Sequence, residues 1–134
     1  MGPGRQRHGS GDLAMARMTV PRFVAKKAAG EKLAMLTAYD FPIASIVDEV
    51  GIDAILVGDS CAMTVMGRET TLSITVDELL HHAKTVTDAA KNCLVVADLP
   101  FMSYHVSPEE VLNPTLNIIS LFLDNRLFNI NRDL

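Results

Sequence analysis

Three aspartates stand where apolar runs end. Asp40 closes "LAMLTAYD", Asp59 closes "AILVGD" one residue before Ser60, and Asp98 comes late in "CLVVADLP". A carboxylate buried there without a partner is costly, so each calls for a helix N-terminus, a basic side chain or a divalent cation. Any one of them reads equally well as the cap of the following helix or as an acceptor for loop amides. Asp59 and Asp98 together, with the Ser60 hydroxyl beside the first, suit a hard cation such as Mg2+. That ion takes oxygen ligands and keeps room for water or substrate oxygens.

Other reactive side chains carry less. His81 and His82 are neighbours on a predicted helix, project about 100° apart and do not share one metal comfortably; they read as partly solvated helix residues. Cys61 follows the second aspartate but has no identifiable base, which argues against a nucleophile. Met63 and Met66 read as fillers of apolar gaps, and "GRET" at Gly67–Thr70 reads as a turn. The segment "VGDSCAMTVMG" has neither the G-x-G-x-x-G pattern nor the lysine of a phosphate-binding loop.

The elements that must position these groups alternate. "VPRFVAKKAAGEK" predicts a short helix stopped by Gly30, and Leu33–Asp40 a first strand. "FPIASIVDEVG" predicts a helix with Pro42 in its first turn and Gly51 as its stop. Ile43, Ile46, Val47 and Val50 recur at helical spacing and predict its buried face. "AILVGDS" is the second strand, followed by the long connection "CAMTVMGRETTLSIT". "TVDELLHHAKTVTDAA" is a helix capped by Thr75, with Glu78 three residues on completing a capping box. "CLVVADLP" is the third strand, closed by Pro100, and Ser107 starts a further helix with Pro108, Glu109 and Glu110 in its first turn.

Strands alternating with helices imply parallel strands. The second and third strands carry almost no polar residue before their ends, as a sheet covered on both faces requires. The class is α/β, and pattern alone leaves a (β/α)8 barrel and an open doubly wound sheet both standing. Either places its binding site at the C-terminal ends of the strands, where the aspartates lie.

The chain has 134 residues, about one domain, and a net charge of −4 gives no reason to expect nucleic acid or an anionic membrane as partner. No apolar stretch approaches the roughly 18 to 20 residues of a membrane span. Cys61 and Cys93 read as free thiols in a reducing compartment. Residues 1–18 read as a disordered extension or an over-extended start, with Met15 or Met18 the true one; a transit peptide is the alternative.

The blocks "MLTAYDFPIASIVDEVGIDAILVGDS", "TTLSITVDELLHHAKTV" and "CLVVADLPFMSY" closely resemble the ketopantoate hydroxymethyltransferase (3-methyl-2-oxobutanoate hydroxymethyltransferase) family. The likeness runs from about Leu33 to Glu110. It implies a (β/α)8 TIM barrel, a homo-decamer, and a cytoplasmic enzyme of pantothenate biosynthesis (mitochondrial as the weaker alternative in a eukaryote). The implied reaction transfers a hydroxymethyl group from 5,10-methylenetetrahydrofolate to 3-methyl-2-oxobutanoate, giving 2-dehydropantoate. By the same resemblance Asp59 and Asp98 hold Mg2+ and meet the substrate, and Ser60 contacts the keto acid.

The resemblance divides the chain into residues 1–18, an N-terminal barrel portion of about three to four β/α units at 19–112, and a divergent segment at 113–134. The family's Val-Lys-(Ile/Leu)-Glu-Gly-Gly motif has no counterpart there; "NRLFNINRDL" stands instead. The family's general-base glutamate also has no counterpart, so no catalytic residue is assigned. A complete barrel needs at least about 200 residues. The expectation is therefore a truncated or frame-altered incomplete barrel with reduced or no activity. The alternatives are a non-catalytic fragment that associates with the full-length enzyme, and another Mg2+-dependent barrel enzyme acting on 2-oxo acids or phosphoenolpyruvate.

Overall fold

The computed structural model describes residues 16–101, 103 and 127–129. Residues 1–15 and the helix expected from Ser107 lie outside the described residues. The order of elements is α1 (Val20–Ala28), β1 (Met35–Thr37), α2 (Phe41–Glu49), β2 (Ala54–Val57), α3 (Cys61–Thr64), α4 (Val76–Ala89), β3 (Leu94–Ala97) and β4 (Leu127–Asn129). The four strands form one sheet in sequence order, all parallel. This is the predicted α/β class.

Side chains alternate across the sheet because successive residues of a strand face opposite ways. Ile55, Val57, Val95 and Ala97 face a core completed by Ala44 of α2 and by Leu79, Leu80, Ala83 and Val86 of α4. Ala54, Leu94 and Val96 face a second cluster, closed by Met18, Val20 and Phe23 at and before α1. Both faces of β2 and β3 are thus covered, as their apolar composition predicts. Each fully buried aliphatic side chain of this kind contributes about 1.5–3 kcal/mol.

Local signals explain the boundaries. Gly30 and Gly51 follow α1 and α2 at φ 74° and 83°, in the left-handed region where a Cβ is penalised. Thr75 and Glu78 form the full capping box of α4: Thr75 Oγ1 accepts from Glu78 N at 3.2 Å, and Glu78 Oε2 accepts from Thr75 N at 2.9 Å. The connection after β2 contains more order than its composition suggests, with the one-turn α3 and a 3-10 turn at Thr71–Ser73.

Two expectations are corrected. Of the expected stripe Ile43, Ile46, Val47 and Val50, only Val47 packs against the core; Ile43, Ile46 and Val50 are 48%, 58% and 73% exposed, while Ala44 and Asp48 are buried. The physical reason is close packing against α4. Ala44 is small enough to sit fully buried between the helices, and Asp48 is drawn inward by amides at the start of β3. The second correction concerns residues 113–134, where the pattern predicts no strand. Leu127–Asn129 pairs in parallel with β3, Val95 opposite Leu127 and Ala97 opposite Asn129. A strand of three residues is set by the open edge it joins, and it is too short to leave a period in the sequence.

Two long-range polar ties lock the layers. Lys26 of α1 meets Asp53 at 2.5 Å, and Asp53 Oδ2 accepts from Ala34 N at 2.9 Å, joining α1 to the entries of β1 and β2. Asp48 accepts from Lys91 N, Asn92 N, Asn92 Nδ2 and Cys93 N at 2.7–3.1 Å, joining α2 to the entry of β3. Neither aspartate stands out in the sequence. Among the described residues no helix is long and apolar enough to cross a membrane.

Candidate functional site

Of the three aspartates at strand ends, Asp40 is a helix cap. Its Oδ1 accepts from Ile43 N at 2.8 Å and its backbone is extended, the usual N-cap geometry. That bond disposes of the carboxylate and takes Asp40 out of the site.

Asp59 and Asp98 are placed differently. β2 and β3 run in register up to Val57 opposite Ala97, and Asp98 N continues the ladder by donating to Val57 O at 3.0 Å. Gly58 therefore lies beside Asp98, and a Cβ built on Gly58 would stand 3.8 Å from the Asp98 Cβ. Asp59 is the next residue along. Both carboxylates thus leave neighbouring parallel strands at the same end of the sheet, and both are half-buried. Asp98 has further partners of its own.

Asp59 and Ser60 precede α3, yet neither serves it as a side-chain cap. The Ser60 hydroxyl is instead hydrogen-bonded to the Tyr39 hydroxyl. Tyr39 is a buried residue between β1 and Asp40. Its carbonyl accepts from His82 Nδ1 at 2.8 Å, and its ring meets the His82 imidazole edge-on at 6.5 Å. His82 is therefore a packed residue at the rim of the site and His81 is exposed. Tyr39 was missed in the sequence. The available signal was its polar tip: a tyrosine in "LTAYD", at the end of an apolar run, needs a partner for its hydroxyl once buried.

The connection from α3 to α4 is held by an ion pair. Arg68 donates to Glu78 through both terminal nitrogens, at 3.0 Å to Oε2 and 2.5 Å to Oε1, and to Ser73 O at 2.8 Å. Arg68, together with the Thr75 amide, holds the Glu78 carboxyl down at about 2, from its ordinary 4.5. Glu78 is thus both cap and counter-ion. "GRET" is a turn, as expected, with Gly67 at φ 66°, and its arginine clamps the next helix.

Both cysteines are free and buried. Burial, and then the negative charge of Glu78, raise the Cys61 thiol above its ordinary value, against the opposing effect of Arg68. Burial first, and then the Asp48 carboxylate, push Cys93 up to about 12. Neither is a thiolate nucleophile near neutral pH.

The donor types present are those a magnesium ion takes. Asp59 and Asp98 are two carboxylates that follow adjacent strand ends. Among the described residues no group of three or more His, Cys, Asp or Glu side chains could hold a metal alone. Two carboxylates with the remaining positions left to water and substrate oxygens is the usual manner of binding Mg2+. The neutral Ser60 hydroxyl beside them is suited to donate to an anionic or carbonyl oxygen.

The Ketopantoate hydroxymethyltransferase family model matches residues 17–122. Over 98 residues, 73% of this chain, the sequence is 53% identical to a 3-methyl-2-oxobutanoate hydroxymethyltransferase of Syntrophomonas wolfei. Over 103 residues, 77% of the chain, it is 52% identical to the protein of that name from Christiangramia forsetii. These matches cover 36% and 38% of the two proteins, so the chain spans little more than a third of their length.

Two solved structures share the fold. One is a phosphoenolpyruvate phosphomutase from Streptomyces platensis, with TM-score 0.58 and 19% identity over 73% of this chain and 33% of that one. The other is a phosphonopyruvate hydrolase in complex with oxalate and Mg++, with TM-score 0.50 and 12% identity over 57% of this chain and 26% of that one. At such identities the likeness is one of fold alone.

Proposed function

The chain belongs to the ketopantoate hydroxymethyltransferase family, and from that premise we propose that it carries the part of the family's site that binds metal and keto acid. Asp59 and Asp98 would hold a magnesium ion, and Ser60 would hold a 2-oxo acid beside it. The acid is 3-methyl-2-oxobutanoate, as the names of the relatives indicate. The one-carbon donor is 5,10-methylenetetrahydrofolate, and the product of the family reaction is 2-dehydropantoate. The observation that supports the reading is the position of Asp98 beside Gly58 across β2 and β3, with Asp59 and Asp98 following neighbouring strands at the same end of the sheet.

When bound, magnesium supplies a Lewis acid that draws charge from the 2-oxo group and so acidifies the neighbouring C–H. The chain's own residues bind and orient. The carboxylates set the position of the acid, and the Ser60 hydroxyl donates to one of its oxygens. We assign no base to removal of the C3 proton. Asn113–Leu134 offers no counterpart of the Val-Lys-(Ile/Leu)-Glu-Gly-Gly motif. The reading is therefore binding of metal and keto acid with little or no turnover by this chain.

The parallel sheet supports a place within a (β/α)8 barrel. The exposed Phe41, Ile43 and Ile46 of α2 and Val50 at its C-terminal cap, with Met35 and Leu36 of β1, support further protein packing there, within the barrel or in a homo-oligomer. The two free thiols support a cytoplasmic setting. Family membership also separates the reading from the phosphoenolpyruvate-type enzymes, whose likeness here is one of fold.

The test is Mn2+ binding followed by electron paramagnetic resonance, with and without 3-methyl-2-oxobutanoate, alongside NMR of C3 proton exchange in D2O with Mg2+. The reading expects Mn2+ affinity that rises with the keto acid and falls at least about tenfold in Asp59→Asn and Asp98→Asn. Exchange stays near the uncatalysed rate. Mn2+ binding that ignores both substitutions sinks the metal assignment. Fast exchange abolished by Asp59→Ala sinks the inactivity.

A further inference from the structure

We propose that Tyr39 is a positioning residue for this site: its phenol donates to Ser60 Oγ and leaves the Ser60 proton for an oxygen of the bound 2-oxo acid. The inference rests on the function proposed above and deepens it.

Ser60 occupies the position before α3 where a serine ordinarily caps its own helix, but no side-chain cap is formed there. Its backbone is fixed by that helix, since its carbonyl accepts from Met63 N at 3.1 Å, Thr64 N at 3.0 Å and Thr64 Oγ1 at 2.9 Å. The hydroxyl is left as a rotor with one proton and two acceptor sites. One of those sites is met by the Tyr39 hydroxyl. Phenols are stronger donors than alkanols, so the low-energy arrangement has Tyr39 donating and Ser60 accepting. The Ser60 proton is then unused by Tyr39, and the bond it accepts polarises it further as a donor.

Tyr39 is itself held from three sides. It is 8% exposed. His82 donates Nδ1–H to its carbonyl and packs edge-on against its ring. The adjacent Asp40 is pinned as the cap of α2. The phenol is therefore a rigid post, and a single freely turning hydroxyl beside Asp59 is directed by it. Loss of that direction costs the ligand about one hydrogen bond, a factor of roughly three to ten in affinity.

The experiment measures 3-methyl-2-oxobutanoate binding to the full chain by calorimetry in Mg2+, for wild type, Tyr39→Phe, Ser60→Ala and the double variant. The spectroscopic arm uses 13Cζ-tyrosine NMR, with Tyr39 assigned by its loss in Tyr39→Phe. The expected result is binding about three- to tenfold weaker in each single variant, a double variant no weaker than Ser60→Ala, and a Tyr39 resonance that moves in Ser60→Ala. Wild-type affinity in Tyr39→Phe, fully additive losses, or a Tyr39 resonance unmoved by Ser60→Ala overturns the inference alone. A wild-type chain that binds no keto acid overturns the function proposed above, and this inference with it.

Discussion

Asp48 on α2 accepts the backbone N–H of Cys93 at 2.7 Å, at the entry of the strand whose far end delivers Asp98. Asp48 is 3% exposed, and burial, the largest single influence, pushes its carboxyl up. The bonds from Cys93, Lys91 and Asn92 together outweigh it and hold the group below its ordinary 3.8. Replacing Asp48 by Ala takes the acceptor from those amides, of which the Cys93 N–H is buried. We expect a loss of about 3 kcal/mol in urea unfolding, with Asn recovering only part of it because its amide group offers N–H to N–H. A loss under about 0.5 kcal/mol for Asp48→Ala contradicts this role.

Arg68 and Glu78 give a pH dependence of defined sign. Glu78 lies at about 2 in the folded chain against an ordinary 4.5. Above 4.5 the group is charged in both states, and its contribution to stability is fully present. As pH falls, the unfolded chain takes up a proton that the folded chain refuses, so the contribution shrinks and is gone at about 2. Glu78→Gln should lower the urea midpoint near neutral pH, and the gap to wild type should close steadily across that acid window. Asp48, also held low, leaves a residual acid slope in the variant. A gap that stays constant into the acid would mean that the ion pair and cap are not what Glu78 contributes.

Much of this architecture is legible in the sequence where the signal is local. The all-apolar β2 and β3, the glycine stops at Gly30 and Gly51, the Thr75–Glu78 box and the two aspartates at strand ends all follow from adjacent residues. The relations that fix the layers and the site are long-range. Tyr39 to Ser60, Asp48 to Cys93 and Lys26 to Asp53 each join segments at least 21 residues apart. Nothing within one segment distinguishes Asp48, a buried staple, from Asp40, an exposed cap. The face of α2 misleads for a related reason. Periodicity finds the most apolar stripe, but close helix packing selects the small residue Ala44.

That choice of face is testable by contrast. Ile46→Ser should change stability by less than about 0.5 kcal/mol, because Ile46 is 58% exposed in this chain. Ala44→Leu should cost about 1–3 kcal/mol, because Ala44 is fully buried against the α4 layer and has no room to expand. Thermal unfolding of the two variants decides it. The reverse order would restore the stripe of Ile43, Ile46 and Val50 as the packed face.

Gly58 lies between structure and function, and its substitutions should separate the two. Its backbone is not in the left-handed region, and an added Cβ would meet the Asp98 Cβ at 3.8 Å and Leu56 Cγ at 4.0 Å, both ordinary contacts. Gly58→Ala is therefore expected to fold with stability within about 1 kcal/mol of wild type, helped by a less flexible unfolded chain. Gly58→Val adds two methyl groups beyond that Cβ, where the Asp98 and Leu56 side chains are its nearest neighbours, and is expected to crowd Asp98. In that variant Mn2+ affinity should fall several-fold more than in Gly58→Ala, while the far-UV dichroism of the sheet and helices is kept. Equal Mn2+ affinity in the two variants would show that Asp98 does not reach the metal from beside Gly58.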